Sequence, residues 1–224
     1  MEEPIITSYL DARRISLAPL SLENTALIVI DMQENQLTTG DLLDYIRSQS
    51  PGMVDYLQRE VSQKVIGNIK EISEKGREKQ LPIFFTRICG ESNDSVDFGT
   101  RVGRSDVPMM PSEHDPGAQI IAELTPQPND VVINKQSSCA LTTGNLDQQL
   151  RASGISQIIL TGVATNMCVE STARTAFDLG YSCVVVDDAC AAFSEATHQA
   201  ALRIYAPKPA WQKAVLRPVP VHRG

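Results

Sequence analysis

The sequence predicts an α/β protein of one domain, a doubly wound and mostly parallel sheet with helices on both faces. Two observations carry this. Five short apolar runs each end in a polar residue, and the stretches between them repeat apolar residues every three or four positions. A strand that is apolar on both faces is buried on both faces, which requires a parallel sheet covered by helices. The 224 residues, 42% hydrophobic and 21% charged, suit one full-size core. A core of that size folds without a disulfide or metal staple.

The elements follow in order. Ala26 to Ile30 is the first apolar run and closes on Asp31. Leu57, Val61, Val65, Ile69 and Ile72 then stripe one face of a long helix from about Val54 to Lys79. Ile83 to Phe85 runs into Thr86 and Arg87, and Val131 to Ile133 runs into Asn134 and Lys135. Leu146, Leu150 and Ala152 mark a short helix stopped by Gly154. Ile158 to Leu160 leads into Thr161 and Gly162, and Val169, Ala173, Ala176 and Phe177 stripe a helix stopped by Gly180. Glycine just past the last turn ends a helix because it accepts the left-handed conformation. Cys183 to Val186 forms the fifth strand, ending before Asp187, and a last helix with Ala196, Ala200 and Ile204 starts at the N-cap Ser194.

Three stretches stand outside this alternation. Residues 1–24 form a leading arm to a domain over 25–206, residues 207–224 form a Pro-rich tail, and residues 88–129 make a long connection rich in Gly, Pro, Ser and Asp. So long a connection inside a compact domain usually serves as a lid or binding loop. The arm and the tail, which carries Trp211, hold more apolar residues than solvent-facing ends need, so a homo-oligomer is expected.

Charge excludes several functions. With 20 Lys and Arg against 27 Asp and Glu, the net charge is −7, and no basic run appears. Such a surface repels phosphate backbones and anionic lipid, so neither nucleic acid nor a membrane is an expected partner. No apolar run reaches the ~18–20 residues of a membrane span. The start MEEPIITSYLDARR is acidic where a signal peptide is basic, which predicts a cytoplasmic protein. The five cysteines are odd in number and form no CxxC pair, so each is expected as a free thiol.

In an open parallel sheet, ligands bind outside the carboxyl ends of the strands. Asp31, Arg87, Lys135, the loop after Val163, and Asp187 with Asp188 lie there. The segment Thr161 to Val169 leaves a strand, passes a turn of small residues and enters a helix, placing Cys168 at a helix N-terminus. Free N–H groups and the helix dipole at such a place favour a thiolate, and can also receive an oxyanion. A buried core cysteine is the other reading of this residue. His114, His198 and His222 all fall away from the strand ends, so a Cys–His pair is not expected. Asp31 and Lys135 remain as proton acceptor and ammonium, or as a structural ion pair. Asp187 and Asp188 read as turn caps or partners of a local cation.

Three segments together, Ala26 to Gln33 with its strand-ending Asp31, Val132 to Lys135, and Leu160 to Val169 with Cys168, resemble the isochorismatase-like cysteine hydrolases over roughly Leu22 to Tyr205. That superfamily includes nicotinamidases, isochorismatases, and N-carbamoylsarcosine and ureidoacrylate amidohydrolases. The resemblance implies a catalytic triad of Asp31, Lys135 and Cys168. It also implies a cis bond between Val163 and Ala164, with the N–H groups of Ala164 and Cys168 as the oxyanion hole.

The departures from the family are informative. Metal-dependent relatives carry an Asp-x-His pair and a second His, whereas residues 40–95 hold no histidine, so no metal and no cofactor is expected. A nucleophilic cysteine argues for acyl transfer. The expectation is a metal-independent hydrolase that cleaves an amide-type C–N bond of a small molecule through a thioester. The alternatives are vinyl-ether hydrolysis with Asp31 as general acid, and a catalytically silent binding protein on the same fold. Gln36 stands where the family carries an aromatic, and Cys139-Ala140-Leu141 stands for Ser-Ala-Phe. Gln33, Arg87 and, in the long connection, Phe98, Arg101 and Arg104 are the candidate substrate contacts. The two loop guanidinium groups, flanked by glycines, either give a bidentate grip on a carboxylate or stand in solvent or against a neighbouring subunit.

Overall fold

The computed structural model describes residues 20–90 and 111–205. Within them, five strands form one parallel sheet: β1 (Thr25–Ile30), β2 (Ile83–Ile88), β3 (Val131–Lys135), β4 (Gln157–Val163) and β5 (Ser182–Ala191), in the order β3-β2-β1-β4-β5. The helices are α1 (Glu34–Leu37), α2 (Asp41–Gln49), α3 (Pro51–Glu60), α4 (Ile66–Glu78), α5 (Leu146–Ala152), α6 (Glu170–Asp178) and α7 (Glu195–Tyr205). The strand order reverses between β1 and β4. The connections after β1 and β4 therefore leave the sheet on opposite sides, and it is at such a point, outside the carboxyl ends of the strands, that open α/β sheets bind ligands.

Both faces of the sheet are covered, as its unbroken apolar strands require. Leu27, Val29, Phe85 and Ile159 pack against Val61, Val65 and Ile69 on one face. Ile28, Ile30, Phe84, Ile133 and Leu160 pack against Leu150, Ala173 and Ala176 on the other. Successive strand residues point to opposite faces, so each strand feeds both cores.

The long helix is segmented. A π turn over Val61–Val65 joins α3 to α4. Leu57, Val61, Val65 and Ile69 repeat every four residues, which overshoots the α-helical turn by about 40° per step. The wider π turn takes up that drift, and all four side chains stay buried. Helix α3 starts earlier than Val54 because Pro51 stands in its first turn, where a missing N–H costs nothing.

The fifth strand is also longer than its sequence pattern predicts. Asp187 and Asp188 lie inside β5 rather than beyond its end, and a register shift opposite Leu160 and Gly162 carries the strand on to Ala191. Their side chains are half-buried and exposed, which an edge strand tolerates. No helix among the described residues is long and apolar enough to cross a membrane.

Candidate active site

Asp31 stops β1 with a positive φ of 51°, a conformation that aspartate tolerates better than most side chains. Its N–H points back to Thr86, with the main-chain oxygen 3.2 Å away and Oγ1 3.3 Å away. The Thr86 hydroxyl in turn donates to Asp31 Oδ1 at 2.8 Å. Parallel register sets Thr86 beside Ile30. Thr86 of the neighbouring strand thus holds the carboxylate at the carboxyl end of the central strand.

The second carboxylate oxygen, Oδ2, lies 2.7 Å from Nζ of Lys135. Lys135 ends β3 on the face that also carries Ile133, and it is wholly buried. Its ammonium also donates to the carbonyl oxygens of Ser137 at 2.8 Å and Ser138 at 3.3 Å, and to Cys168 Sγ at 3.6 Å. The loop after β3 folds back over the amine because Gly144, at φ +80°, lets it return; a Cβ there would sit 2.4 Å from the Asn134 carbonyl oxygen. The structure thus brings Asp31, Lys135 and Cys168 to one point, at the reversal in strand order.

Cys168 arrives from β4. Gly162 passes β1 so closely that a Cβ would lie 2.1 Å from the Ile30 carbonyl oxygen. The Val163–Ala164 bond is cis. A π turn over Thr165–Val169 then leads into α6. Thr172, one turn further on, donates to the Cys168 carbonyl at 2.7 Å and accepts from Ala140 N–H at 2.9 Å, fastening this turn to the loop above Lys135.

The thiol state differs from the helix-terminus expectation. Burial pushes the Cys168 thiol well up, the Asp31 charge adds to the rise, and the Lys135 ammonium only partly offsets both. Cys168 therefore rests as a thiol. Burial, with the residue only 8% exposed, strips water from the charged form of the sulfur and so works against the helix end. For Lys135, burial works to lower the pKa, but Asp31 and Cys168 outweigh it and hold the ammonium above its ordinary range.

The candidate substrate contacts divide. Gln33 is fully buried and braces the main chain. Its Nε2 donates to the Ala118 and Ile88 carbonyls at 3.0 and 3.3 Å, and its Oε1 accepts from Ile88 N–H at 2.7 Å. Arg87 alternates with Thr86 and so leaves the sheet on the face opposite Lys135. It bonds Asn134 Oδ1 at 3.0 Å and Gln119 Oε1 at 2.9 Å, tethering the 113–119 segment. Phe98, Arg101 and Arg104 lie outside the described residues. Among the described residues, no group of three His, Cys, Asp or Glu side chains gathers as a metal site would need.

Sequence reasoning missed Thr86, Thr165, Thr172 and His198. Thr86 had a usable signal, as a polar residue one register step from Asp31. His198 had none, because its partners are Thr165, with Oγ1 2.8 Å from Nδ1, and Asp187, with Oδ1 2.8 Å from Nε2.

The strand-order switch of this α/β sheet carries an acid, an amine and a thiol at its mouth, and residues 25–213 match the isochorismatase domain model. The chain belongs to the isochorismatase family. It is 34% identical over 183 residues to a ureidoacrylate amidohydrolase, RutB, of Acinetobacter baylyi, covering 79% of this chain and 73% of that one. Among solved structures it resembles a cysteine hydrolase from Pseudomonas syringae pv. phaseolicola, with TM-score 0.71 and 26% identity, covering 85% and 88% of the two chains. It also resembles an N-carbamoylsarcosine amidase from Thermoplasma acidophilum, with TM-score 0.62 and 27% identity, covering 81% and 92%.

Proposed function

We propose that this protein is a metal-independent cysteine hydrolase that cleaves an amide-type C–N bond of a small molecule through a thioester acyl-enzyme. One observation carries the reading: a single buried ammonium, Lys135, touches both the Asp31 carboxylate, at 2.7 Å, and the Cys168 sulfur, at 3.6 Å. The names of the similar proteins, a ureidoacrylate amidohydrolase and an N-carbamoylsarcosine amidase, support the same bond type.

Asp31 takes the thiol proton as sulfur attacks the carbonyl carbon. Because the resting thiol holds its proton firmly, transfer and attack run together, and no standing thiolate is needed. The negative charge moves from Asp31 to the substrate oxygen, where the N–H groups of Ala164 and Cys168 receive it, while Lys135 stays within reach of both ends of the transfer. Protonated Asp31 gives its proton to the departing amine or ammonia. Water then enters, Asp31 takes one of its protons, and hydroxide addition to the thioester releases the acid and restores the thiol. In this reading the protein is a cytoplasmic homo-oligomer that acts on a small-molecule substrate. Phe177, expected on the apolar stripe of α6, is instead 70% exposed.

The test is ammonia release from 3-ureidoacrylate, N-carbamoyl amino acids and small primary amides, run beside Cys168→Ala. A substrate is expected whose turnover falls on the order of 10⁴-fold in the variant. Undiminished turnover in Cys168→Ala overturns the thioester. Cleavage of isochorismate that survives the substitution replaces it with the vinyl-ether reading.

A further inference from the structure

We propose that Thr165, His198 and Asp187 form a hydrogen-bonded relay of positioning residues that holds the turn carrying Cys168 in its reactive place. The proposal rests on the reading above, in which Cys168 is the nucleophile.

The relay joins three elements. Asp187 stands in β5, with its side chain 31% exposed, and its Oδ1 lies 2.8 Å from His198 Nε2. His198 sits in the first turns of α7, 5% exposed, behind a cap in which Ser194 Oγ accepts from Thr197 N–H at 3.2 Å. Its Nδ1 lies 2.8 Å from the hydroxyl of Thr165, which is 1% exposed, follows the cis bond directly and precedes Cys168 by three residues. The relay thus runs from the water side of the sheet edge to the base of the cysteine turn.

Its proton arrangement follows from chemistry. The hydrogen bond from His198 holds the Asp187 carboxyl below its usual range, so Asp187 is ionised at neutral pH and accepts from Nε2–H. The other ring nitrogen, Nδ1, then faces the Thr165 hydroxyl at hydrogen-bond distance. A buried threonine in a helical turn ordinarily satisfies its hydroxyl on its own helix, as Thr172 does on the Cys168 carbonyl. Thr165 reaches sideways to another helix instead. That fixes the peptide unit whose oxygen, on Ala164, accepts from Met167 N–H at 2.9 Å and Val169 N–H at 3.3 Å, the bonds that brace Cys168 on either side. A shift of this turn changes the 3.6 Å contact of sulfur with Lys135 and the aim of the main-chain donors together. Thr165 is too deeply buried to act as a nucleophile itself.

The experiment uses Thr165→Val, Thr165→Ser, His198→Phe and the Val/Phe double variant of the full chain. The second-order rate of iodoacetamide alkylation, read on the Cys168 peptide by mass spectrometry, needs no substrate. Turnover of whichever amide or carbamoyl compound the ammonia screen returns gives kcat and KM. Thr165→Val and His198→Phe are each expected to slow alkylation and kcat about 10- to 100-fold with KM within roughly threefold, as misplacement of a reacting group does. Thr165→Ser restores both, and the double variant is no worse than the poorer single, because the members act as one unit. Alkylation of Thr165→Val at the wild-type rate, equal impairment of Thr165→Ser, or additive losses in the double variant overturns the relay. If Thr165→Val does not fold, Asp187→Ala at the partly exposed end decides the matter by the same alkylation rate, expected to fall severalfold and fatal to the relay if unchanged. Absence of any amide turnover in the wild type refutes the amidase reading alone, since the alkylation comparison still decides the relay.

Discussion

Cys168 feels two opposite charges, and separating them gives a result of unusual sign. Burial and the Asp31 carboxylate raise its pKa, whereas the Lys135 ammonium lowers it. In Asp31→Asn the burial is kept and the carboxylate charge is gone, which leaves the ammonium facing sulfur without a competitor. Alkylation of Cys168 at pH 7 is therefore expected to quicken, with its pH profile displaced to lower pH, while amide hydrolysis is lost with the proton acceptor. Parallel iodoacetamide and ammonia-release measurements check this, and a variant slowed in both, with no displacement of its alkylation pH profile, would show that Asp31 does not raise the thiol's pKa. The three converging side chains were legible in the sequence because each closes an apolar run or opens a turn. The thiol's resting state was not, since a helix terminus is a local signal and burial is not. Nor were Thr165 and His198, which are 33 residues apart and meet only through tertiary packing.

At the scale of elements, β4 delivers the cysteine turn, and its fit to β1 depends on one missing side chain. Gly162 combines a φ of +104° with the Ile30 carbonyl where a Cβ would lie, 2.1 Å away. Gly154, past the end of α5, has φ +70° and open space around its Cβ position. Substitution by alanine separates strain from clash: Gly154→Ala carries the left-handed penalty of about 1–2 kcal/mol, whereas Gly162→Ala adds backbone displacement for roughly 3–5 kcal/mol in all. Urea unfolding of the two variants measures the difference, and equal losses would mean that β1 and β4 separate freely. The sequence showed the strands and the helix stops, because apolar runs and terminal glycines are local patterns. It understated β2, β3, β4 and β5 at their carboxyl ends. There the residues are polar by function or lie on an edge, so periodicity no longer marks the strand.

For the whole molecule, five parallel strands were readable but their order was not, because the choice of neighbours is made by the crossovers and not within any strand. The same global packing sets the response to alkali. Burial pushes the thiols of Cys89, Cys168, Cys183 and Cys190 up, Cys183 to about 12. Burial, aided by a hydrogen bond to a carboxylate, also raises the phenols of Tyr56, bonded to Glu195, and Tyr181, bonded to Asp147, to about 12 each. In the unfolded chain these thiols lose protons near ~8.5 and the phenols near ~10. The folded chain keeps its protons to higher pH, so their contribution to stability is complete below those values and drains away as pH rises towards 12. Lys135, raised by its partners, adds a loss of the same sign at the upper end. The urea midpoint is therefore expected to hold from pH 7 to about 8.5 and to fall steadily above it. Tyr181→Phe, which removes one phenol that ties α5 to the start of β5, should flatten the fall above about pH 10. A midpoint that stays level to pH 11 would show that these groups titrate alike in the folded and unfolded chains, and that the packing around them admits water.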